Sequence, residues 1–131
     1  MVVQLYAPQN SGGEEPAEAV TVVDSGGVVL LRVSWRAESP ERARVIVEGD
    51  VDQDTAPALR AMLLDALAQR RLVCCDLRLA SFLGSAGVET LAQAHVAAAE
   101  GGRWMVLTGI AGIVERVLQL TGMLDVLSVE R

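Results

Sequence analysis

One serine stands where the sequence pattern changes from a buried strand to an amphipathic helix. Ser85 follows an apolar run that begins at Leu72. It precedes apolar residues that recur at helical spacing: Val88, Leu91, Ala92, Val96 and Ala99. A hydroxyl at this point can cap the helix by accepting a free N–H of the first turn, and the same N–H groups favour a bound anion. Ser85 is therefore either a structural cap or a hydroxyl that carries a phosphate.

Three aspartates form the second chemical feature of the sequence. Asp50, Asp52 and Asp54 lie in the predicted loop 49–55. Because loops at the carboxyl ends of parallel strands gather at one edge of a sheet, we expect this loop to lie near Ser85. Three interpretations are open: turn and cap chemistry, an electronegative docking edge beside a phosphorylatable hydroxyl, and a divalent-cation site.

Ser85 lacks the neighbours that a catalytic serine needs. A nucleophile elbow has glycine two residues before the serine, whereas this chain has Leu83. His95 is the only histidine, and ten residues of helix place it ~15 Å from Ser85 and beside the apolar face. The sequence also contains no lysine, which excludes a Walker-type phosphate loop. We expect a protein that is not an enzyme and that holds no cofactor and no metal.

Composition narrows the class of protein further. The 131 residues suit one domain, and no apolar run reaches the ~18 residues of a membrane-spanning helix. The N-terminus lacks the pattern of a secretory signal, so we expect a cytoplasmic protein with no membrane partner. The net charge is −6, and the only basic cluster is the pair at residues 70–71, so nucleic-acid binding is not expected.

The two cysteines are adjacent in the sequence, at Cys74 and Cys75. Neighbouring residues of a strand point to opposite faces of the sheet. A parallel strand that is covered on both faces would bury both thiols as small apolar groups. A vicinal redox pair or a soft-metal site is the alternative, although no further cysteine supports a metal site.

The pattern also predicts the elements that position these residues. Residues 1–27 are expected to form a flexible acidic extension in which 20–23 make a short edge strand, and 28–131 form the domain. Strands are predicted at 28–36, 44–48, 72–76, 104–108 and 126–129, with helices from 55, over 86–100 and over 113–121. The result is an α/β fold with a mixed, largely parallel sheet and an N-terminal antiparallel hairpin.

Three blocks of the sequence resemble the STAS domain of bacterial anti-sigma factor antagonists. They are GDVDQDTAPALRAMLLDAL, VCCDLRLASFLGSAGVETL and GGRWMVLTGIAGIVERVLQLTGMLDVL, in the family's order and spacing over residues 28–129. The resemblance implies a STAS-like fold and a role in transcription regulation. The unphosphorylated antagonist binds an anti-sigma factor with serine kinase activity, and phosphorylation of one serine at the start of the second helix breaks that complex.

The resemblance assigns roles to individual residues. Ser85 corresponds to the phosphoacceptor, and Asp52 to the acidic residue that closes the family's G-E-L-D block. Asp76 resembles the family's strand-end aspartate. Thr121 and Gly122 resemble its T-G/S-G block. The implied partner-binding residues are Asp50, Asp52, Asp54, Gly84, Ser85, Ala86 and Gly87.

The sequence departs from the family in two places. Gly84 stands where the family has aspartate, which removes a charge and adds backbone freedom. This departure motivates an alternative function, a STAS scaffold or sensor domain without a phospho-switch. Many family members also carry a C-terminal helix, whereas this sequence ends two residues after Val129. We expect the corresponding surface to be bare, or covered by residues 1–27 or by a second copy in a homodimer.

Overall fold

The computed structural model describes the backbone of Val2–Tyr6 and residues 17–130. Within these residues, seven strands form one sheet in which each strand lies beside its neighbours in sequence. The strands are β1 (Val2–Tyr6), β2 (Glu18–Val23), β3 (Val29–Ala37), β4 (Arg42–Val51), β5 (Leu72–Leu83), β6 (Trp104–Thr108) and β7 (Ser128–Val129). The helices are α1 (Ala56–Gln69), α2 (Ser85–Glu100) and α3 (Gly112–Leu120), followed by a 3-10 turn at Met123–Asp125.

The sheet changes from antiparallel to parallel at β4. Strands β1 to β4 pair antiparallel, and β4 to β7 pair parallel with a helix in each connection. Right-handed crossovers that proceed in one direction along a sheet place their helices on the same face. The predicted mixed α/β fold with an N-terminal hairpin is confirmed, and β1 and β2 make its antiparallel part larger than expected.

The core lies between the helices and the face of the sheet that they cover. Helix α1 buries one face at the predicted spacing, through Leu59, Met62, Leu63 and Ala66. Strands and later helices contribute further fully buried leucines: Leu31, Leu77, Leu83, Leu91, Leu107 and Leu118. Burial of these apolar surfaces supplies the main driving force for the fold.

The opposite side of the sheet, which we call the helix-free face, carries a chain of ion pairs. Arg44 donates to Asp76 at 2.8 Å and to Glu38 at 2.7 Å. Arg42 donates to Glu38 at 2.8 Å and to both carboxylate oxygens of Glu130. These contacts tie the start of β4 to the end of the described chain, because Glu130 follows β7.

Both cysteines are buried, as the sequence predicts. Cys75 belongs to the apolar core, and its pKa is raised chiefly by burial. Cys74 lies on the helix-free face, where it pairs in register with Arg44 of β4. Burial raises the pKa of Cys74, although Arg44 and Arg42 oppose this effect. Both thiols are therefore packing groups that hold their protons at neutral pH.

Strand β5 is much longer than predicted. The predicted strand ends at Asp76, but β5 continues to Leu83 by pairing with β4 through two irregularities in register. Such bulges add a residue to one strand and shift the alternation of side chains, so simple periodicity misses them. Asp76 consequently lies within a strand rather than at its end.

The N-terminal strands differ from the predicted extension. The strand expected at 20–23 is present as β2, but β1 flanks it, so β2 is not at the edge of the sheet.

Helix α1 is also joined to the antiparallel strands by hydrogen bonds. The side chain of Trp35 on β3 donates to Asp65 of α1 at 3.1 Å. A hydrogen bond with Asp65 raises the pKa of Glu18 on β2. Residues 7–16 of the predicted flexible extension lie outside the described residues.

No helix in the described part of the chain is both long enough and apolar enough to cross a membrane.

We predict that Glu38→Gln reduces the loss of stability in acid. Burial raises the pKa of Glu38, but hydrogen bonds from Arg44 and Arg42 outweigh it, and the net pKa lies below its usual 4.5. A carboxyl group with a lowered folded-state pKa stabilises the fold above the unfolded pKa, and this contribution disappears as pH falls through the folded value. Urea unfolding at neutral pH and below about pH 4 measures the difference.

The exposed Glu41 provides the control, because its side chain forms no ion pair within the described residues. Glu41→Gln should keep the acid sensitivity of the native protein. An identical acid response for the native protein and Glu38→Gln would contradict the stabilising role of Glu38.

Candidate functional site

The two loops that carry the candidate residues meet at one edge of the sheet. Val51 and Leu83 end β4 and β5 and are partners in the parallel ladder. The N–H of Gly84 donates to the carbonyl oxygen of Val51 at 2.8 Å. A Cβ atom on Gly84 would lie 3.9 Å from the Cα of Asp52. The predicted meeting of the aspartate loop with the Ser85 loop is therefore confirmed.

Ser85 is the first residue of α2, and its side chain is exposed. The N-cap is Gly84, in an extended conformation, so the predicted capping role of Ser85 is wrong by one residue. The helix begins one residue earlier than expected because the carbonyl oxygen of Gly84 accepts its first hydrogen bond, from Val88. No side chain caps this end, and the Ser85 hydroxyl has no hydrogen-bond partner within the described residues. The geometry therefore excludes the structural cap and leaves the Ser85 hydroxyl available for modification.

Gly87 fixes how closely α2 approaches the strand ends. A Cβ atom at this position would lie 2.5 Å from Cδ1 of Leu83 and 2.8 Å from Cγ1 of Val51. Gly87 was predicted to belong to the partner surface, but it is buried, so its role is packing. The absence of a side chain lets the first turn of α2 rest on β4 and β5, and this contact sets the position of Ser85.

Asp52 organises the loop that precedes α1. Its Oδ1 atom accepts from the backbone N–H of Asp54 at 2.9 Å and of Thr55 at 3.0 Å. The buried Thr55 hydroxyl donates to the carbonyl oxygen of Asp50 at 2.8 Å. The turn and cap interpretation therefore applies to Asp52, whose carboxylate is engaged within its own loop.

Asp50 and Asp54 are the acids of this loop that face solvent. Their carboxylates form no hydrogen bond or ion pair within the described residues. They leave two negative charges on the loop that meets the start of α2, and the electronegative docking edge stays a prediction. In residues 17–130, no group of three or more histidine, cysteine or acidic side chains is arranged to hold a metal ion.

A groove runs between α1 and α2 from this edge. It has a volume of about 430 Å³, and the half-buried Ala86 lies at its Ser85 end. The other lining residues are Gln53, Ala56, Pro57, Arg60, Ala61, Leu64, Glu89, Thr90 and Gln93. Small and polar side chains dominate this lining, which suits a protein surface more than an apolar ligand.

Sequence reasoning missed one feature of the site, the exposed ring of Phe82. The ring lies against Gly84, with Cε2 3.2 Å from the place that a Cβ atom of Gly84 would occupy. Phe82 was assigned to a loop because the alternation in β5 is broken by a bulge.

His95 lies half-buried on α2, in agreement with its predicted boundary position. Thr121 and Gly122 end α3, where Gly122 has the positive φ of 76° that favours glycine.

Comparisons with known proteins agree with this architecture. A family model described as "Mlab, STAS domain" matches residues 34–128. The anti-sigma factor antagonist from Mycobacterium paratuberculosis has a similar structure, with 22% identity, a TM-score of 0.66, and coverage of 82% of this chain and 89% of that chain. Comparison with curated proteins gave no match.

Two structures of SpoIIAA share the same fold. The unphosphorylated anti-sigma factor antagonist is 16% identical, with a TM-score of 0.64 over 76% of this chain and 88% of that chain. The phosphorylated Bacillus protein is 15% identical, with a TM-score of 0.59 over 76% of this chain and 91% of that chain. At these identities, the likeness establishes the fold.

We predict that Gly87→Ala destabilises the protein by about 1–3 kcal/mol, because the new methyl group overpacks the contact with Leu83 and Val51. This loss would occur although alanine favours a helix over glycine by about 1 kcal/mol. Gly84→Ser is the matched control three residues earlier, where the backbone suits any N-cap residue and the new Cβ atom would closely meet only the exposed ring of Phe82, which can move aside. It should change stability by less than about 0.5 kcal/mol. A Gly87→Ala variant as stable as the native protein, measured by urea unfolding, would contradict the tight approach of α2.

Proposed function

Since this chain belongs to the STAS domain family, we propose that it is an anti-sigma factor antagonist regulated at Ser85. With Ser85 unmodified, it binds an anti-sigma factor that has serine kinase activity. Phosphorylation of Ser85 by that partner releases it. The protein acts in the bacterial cytoplasm and regulates transcription without catalysing a reaction itself.

The observation that carries this proposal is that the Ser85 hydroxyl is available to another protein. It is exposed at the tip of α2 and has no hydrogen-bond partner within the described residues. No general base among residues 17–130 is bonded to it, so the arrangement suits a serine that another protein modifies. Asp50 and Asp54, on the loop that meets the start of α2, supply negative charge that a partner with basic residues would recognise.

The same geometry explains how a phosphate would act as a switch. Phosphorylation adds about 1.5 to 2 negative charges at neutral pH. Within this protein, the free N–H groups at the start of α2 tolerate that charge. In the complex, the partner's basic residues would pair with Asp50 and Asp54, so a phosphate on Ser85 would be desolvated close to these carboxylates without a counter-charge of its own. Such a mismatch costs about 2–5 kcal/mol, which weakens binding from about 30-fold to several thousandfold.

No internal rearrangement is needed for this switch. The Ser85 side chain holds no part of the fold together, because neither the cap of α2 nor the Asp52 loop uses its hydroxyl. Modification would therefore change the surface and leave the core intact. The switch acts on the complex rather than on the stability of the free protein.

Gly84 supports a second candidate function, a STAS interaction domain without a phospho-switch. The N-cap of α2 has no side chain, and the first turn of the helix contains no acidic residue. The resemblance described above places an aspartate at the position of Gly84. A kinase that recognises this aspartate would not find it here, while the Asp50 and Asp54 edge would still be available to a scaffold partner.

We predict that Ser85→Asp weakens partner binding by at least about 30-fold, whereas Ser85→Ala stays within about threefold of the native affinity. The partner is first captured from extract of the source organism with the immobilised native chain and identified by mass spectrometry. The purified partner is then titrated against each variant by isothermal titration calorimetry.

Ser81→Asp is the matched control, since Ser81 is an exposed serine on β5 four residues before Ser85. It introduces the same charge but should cost less than about threefold. Equal losses for Ser81→Asp and Ser85→Asp would contradict a specific site at Ser85. Tight binding that ignores Ser85→Asp would favour the scaffold function instead.

A further inference from the structure

A second cavity lies at the far end of α2 from Ser85, where the helix leads into β6. Its volume is about 360 Å³, and the lining residues are His95, Ala99, Gly102, Arg103, Trp104 and Met105. His95 is the lining residue closest to Ser85 in the sequence, and ten residues of helix separate the two by about 15 Å. The cavity therefore shares no residue with the edge at Ser85.

The turn that ends α2 shapes this cavity. Gly102 has a positive φ of 67°, and the N–H of Arg103 donates back to the carbonyl oxygen of Ala98 at 2.7 Å. This glycine turn directs the chain from the helix into β6. It brings the side chains of Arg103 and Trp104 to the same cavity as the last two turns of the helix.

The wall of the cavity on α2 consists of His95 and Ala99, which lie one turn apart. The groove between α1 and α2 uses other residues of α2, so the two concave surfaces lie on different flanks of the helix. The buried Met105 adds an apolar surface. Because Ala99 has only a methyl group, the wall leaves space that a longer side chain would occupy.

Three polar side chains of the lining are available to a ligand. The Arg103 guanidinium group, the His95 ring and the Trp104 indole form no hydrogen bond or ion pair within residues 17–130. Arg103 and His95 are half-buried, whereas the Trp104 side chain is 68% exposed. No acidic residue of the described chain lines the cavity. Within this lining, Arg103 is therefore a cation without a counter-charge, although the net charge of the chain is −6.

The end of α2 offers little repulsion to an anion in this cavity. The negative end of a helix dipole arises from the unpaired carbonyl oxygens of the last turn. In α2, the carbonyl oxygens of Ala97, Ala98 and Ala99 accept hydrogen bonds from the N–H groups of residues 101–103. These bonds partly neutralise the helix end beside Arg103.

From this lining we propose that the cavity binds a small aromatic carboxylate. A guanidinium group such as that of Arg103 forms two parallel hydrogen bonds with a carboxylate. The indole of Trp104 offers an aromatic face on which a second ring stacks. An N–H group of the His95 ring can donate to the same carboxylate, and Ala99 and Met105 supply apolar contacts.

Other classes of ligand fit the cavity less well. An organic cation would meet the charge of Arg103, and an uncharged apolar ligand would cover the guanidinium group without pairing it. The volume equals that of about twelve water molecules at about 30 Å³ each. Such a space holds a single ring with a short acidic chain, whereas a nucleotide would extend beyond it.

The complex should be weak and reversible. The exposed position of Trp104 leaves the cavity open to solvent on one side. A ligand of about ten non-hydrogen atoms in such a cavity is expected to bind with a dissociation constant of about 1 mM. The site is independent of the proposed phospho-switch, because no residue near Ser85 takes part, and its test needs the unmodified chain alone.

Proton–nitrogen NMR of the full chain, titrated with phenylacetate to about 20 mM, tests the proposal. The chain has two tryptophans and therefore two indole N–H signals, which Trp104→Phe assigns. The Trp104 signal should shift with a dissociation constant of about 1 mM. The Trp35 signal should stay in place, because that side chain is 7% exposed and donates to Asp65.

Matched probes test the two parts of the ligand. Cyclohexylacetate keeps the acid but lacks the aromatic ring, and phenethylamine keeps the ring but carries the opposite charge. Each should bind at least about tenfold more weakly than phenylacetate. Phenyl phosphate tests the acid group, and tighter binding of this probe than of phenylacetate would overturn the carboxylate in favour of a phosphate ester.

Two pairs of variants test the lining, and the dispersion of the NMR signals shows that each variant is folded. Arg103→Gln should weaken phenylacetate binding at least about tenfold, because it removes the charged hydrogen bonds. Arg116→Gln is its control, since Arg116 is exposed on α3 outside the lining, and should change the affinity by less than about threefold. Ala99→Leu should fill the cavity and abolish the shift, whereas Ala68→Leu, at an exposed alanine of α1, should leave it unchanged.

Three further outcomes would overturn the proposal. The first is a Trp104 signal that does not move at the highest concentration of phenylacetate. The second is binding of cyclohexylacetate or phenethylamine as tight as that of phenylacetate. The third is a folded Arg103→Gln or Ala99→Leu variant that binds phenylacetate with the native affinity.

Discussion

The arrangement at the Ser85 edge depends on the close approach of α2 to the ends of β4 and β5. Gly87 allows this approach, because any side chain there would overlap Val51 and Leu83. The hydrogen bond from Gly84 to Val51 then joins the start of the helix to the neighbouring strand. These two contacts hold the tip of α2 beside the aspartate loop, and the exposed Ser85 hydroxyl follows from them. The packing of Gly87 against Val51 and Leu83 therefore positions the exposed Ser85.

The two faces of the sheet are covered by different kinds of side chain. On the helix-covered face, apolar side chains of strands and helices form the core. On the helix-free face, long arginine side chains cover the buried Cys74 and Asp76 while their charged ends form ion pairs. The surface proposed for a partner is the edge at Ser85, and binding there would require no opening of the core.

Much of the architecture could be predicted from the sequence, because helical and strand periodicities are strong where one face is buried. The strand Trp104–Thr108 has the predicted bounds, and α2 begins one residue before its predicted start. The extension of β5 to Leu83 could not be predicted, since two irregularities in register disturb its alternation. Side-chain roles were harder still. Asp52 as a loop cap and Gly84 as the N-cap follow from three-dimensional hydrogen bonding that sequence spacing leaves open.

The central claim is that Ser85 is the hydroxyl that another protein modifies. The most direct measurement is peptide mass spectrometry of the protein purified from its native cells under phosphatase inhibition. Cleavage after Arg78 and Arg103 yields one peptide that contains three hydroxyl residues, Ser81, Ser85 and Thr90. The account predicts a phosphate on Ser85 alone, because Thr90 is buried and Ser81 lies on β5, away from the tip of α2. A phosphate on Ser81 or Thr90, or an unmodified peptide under every growth condition, would contradict it.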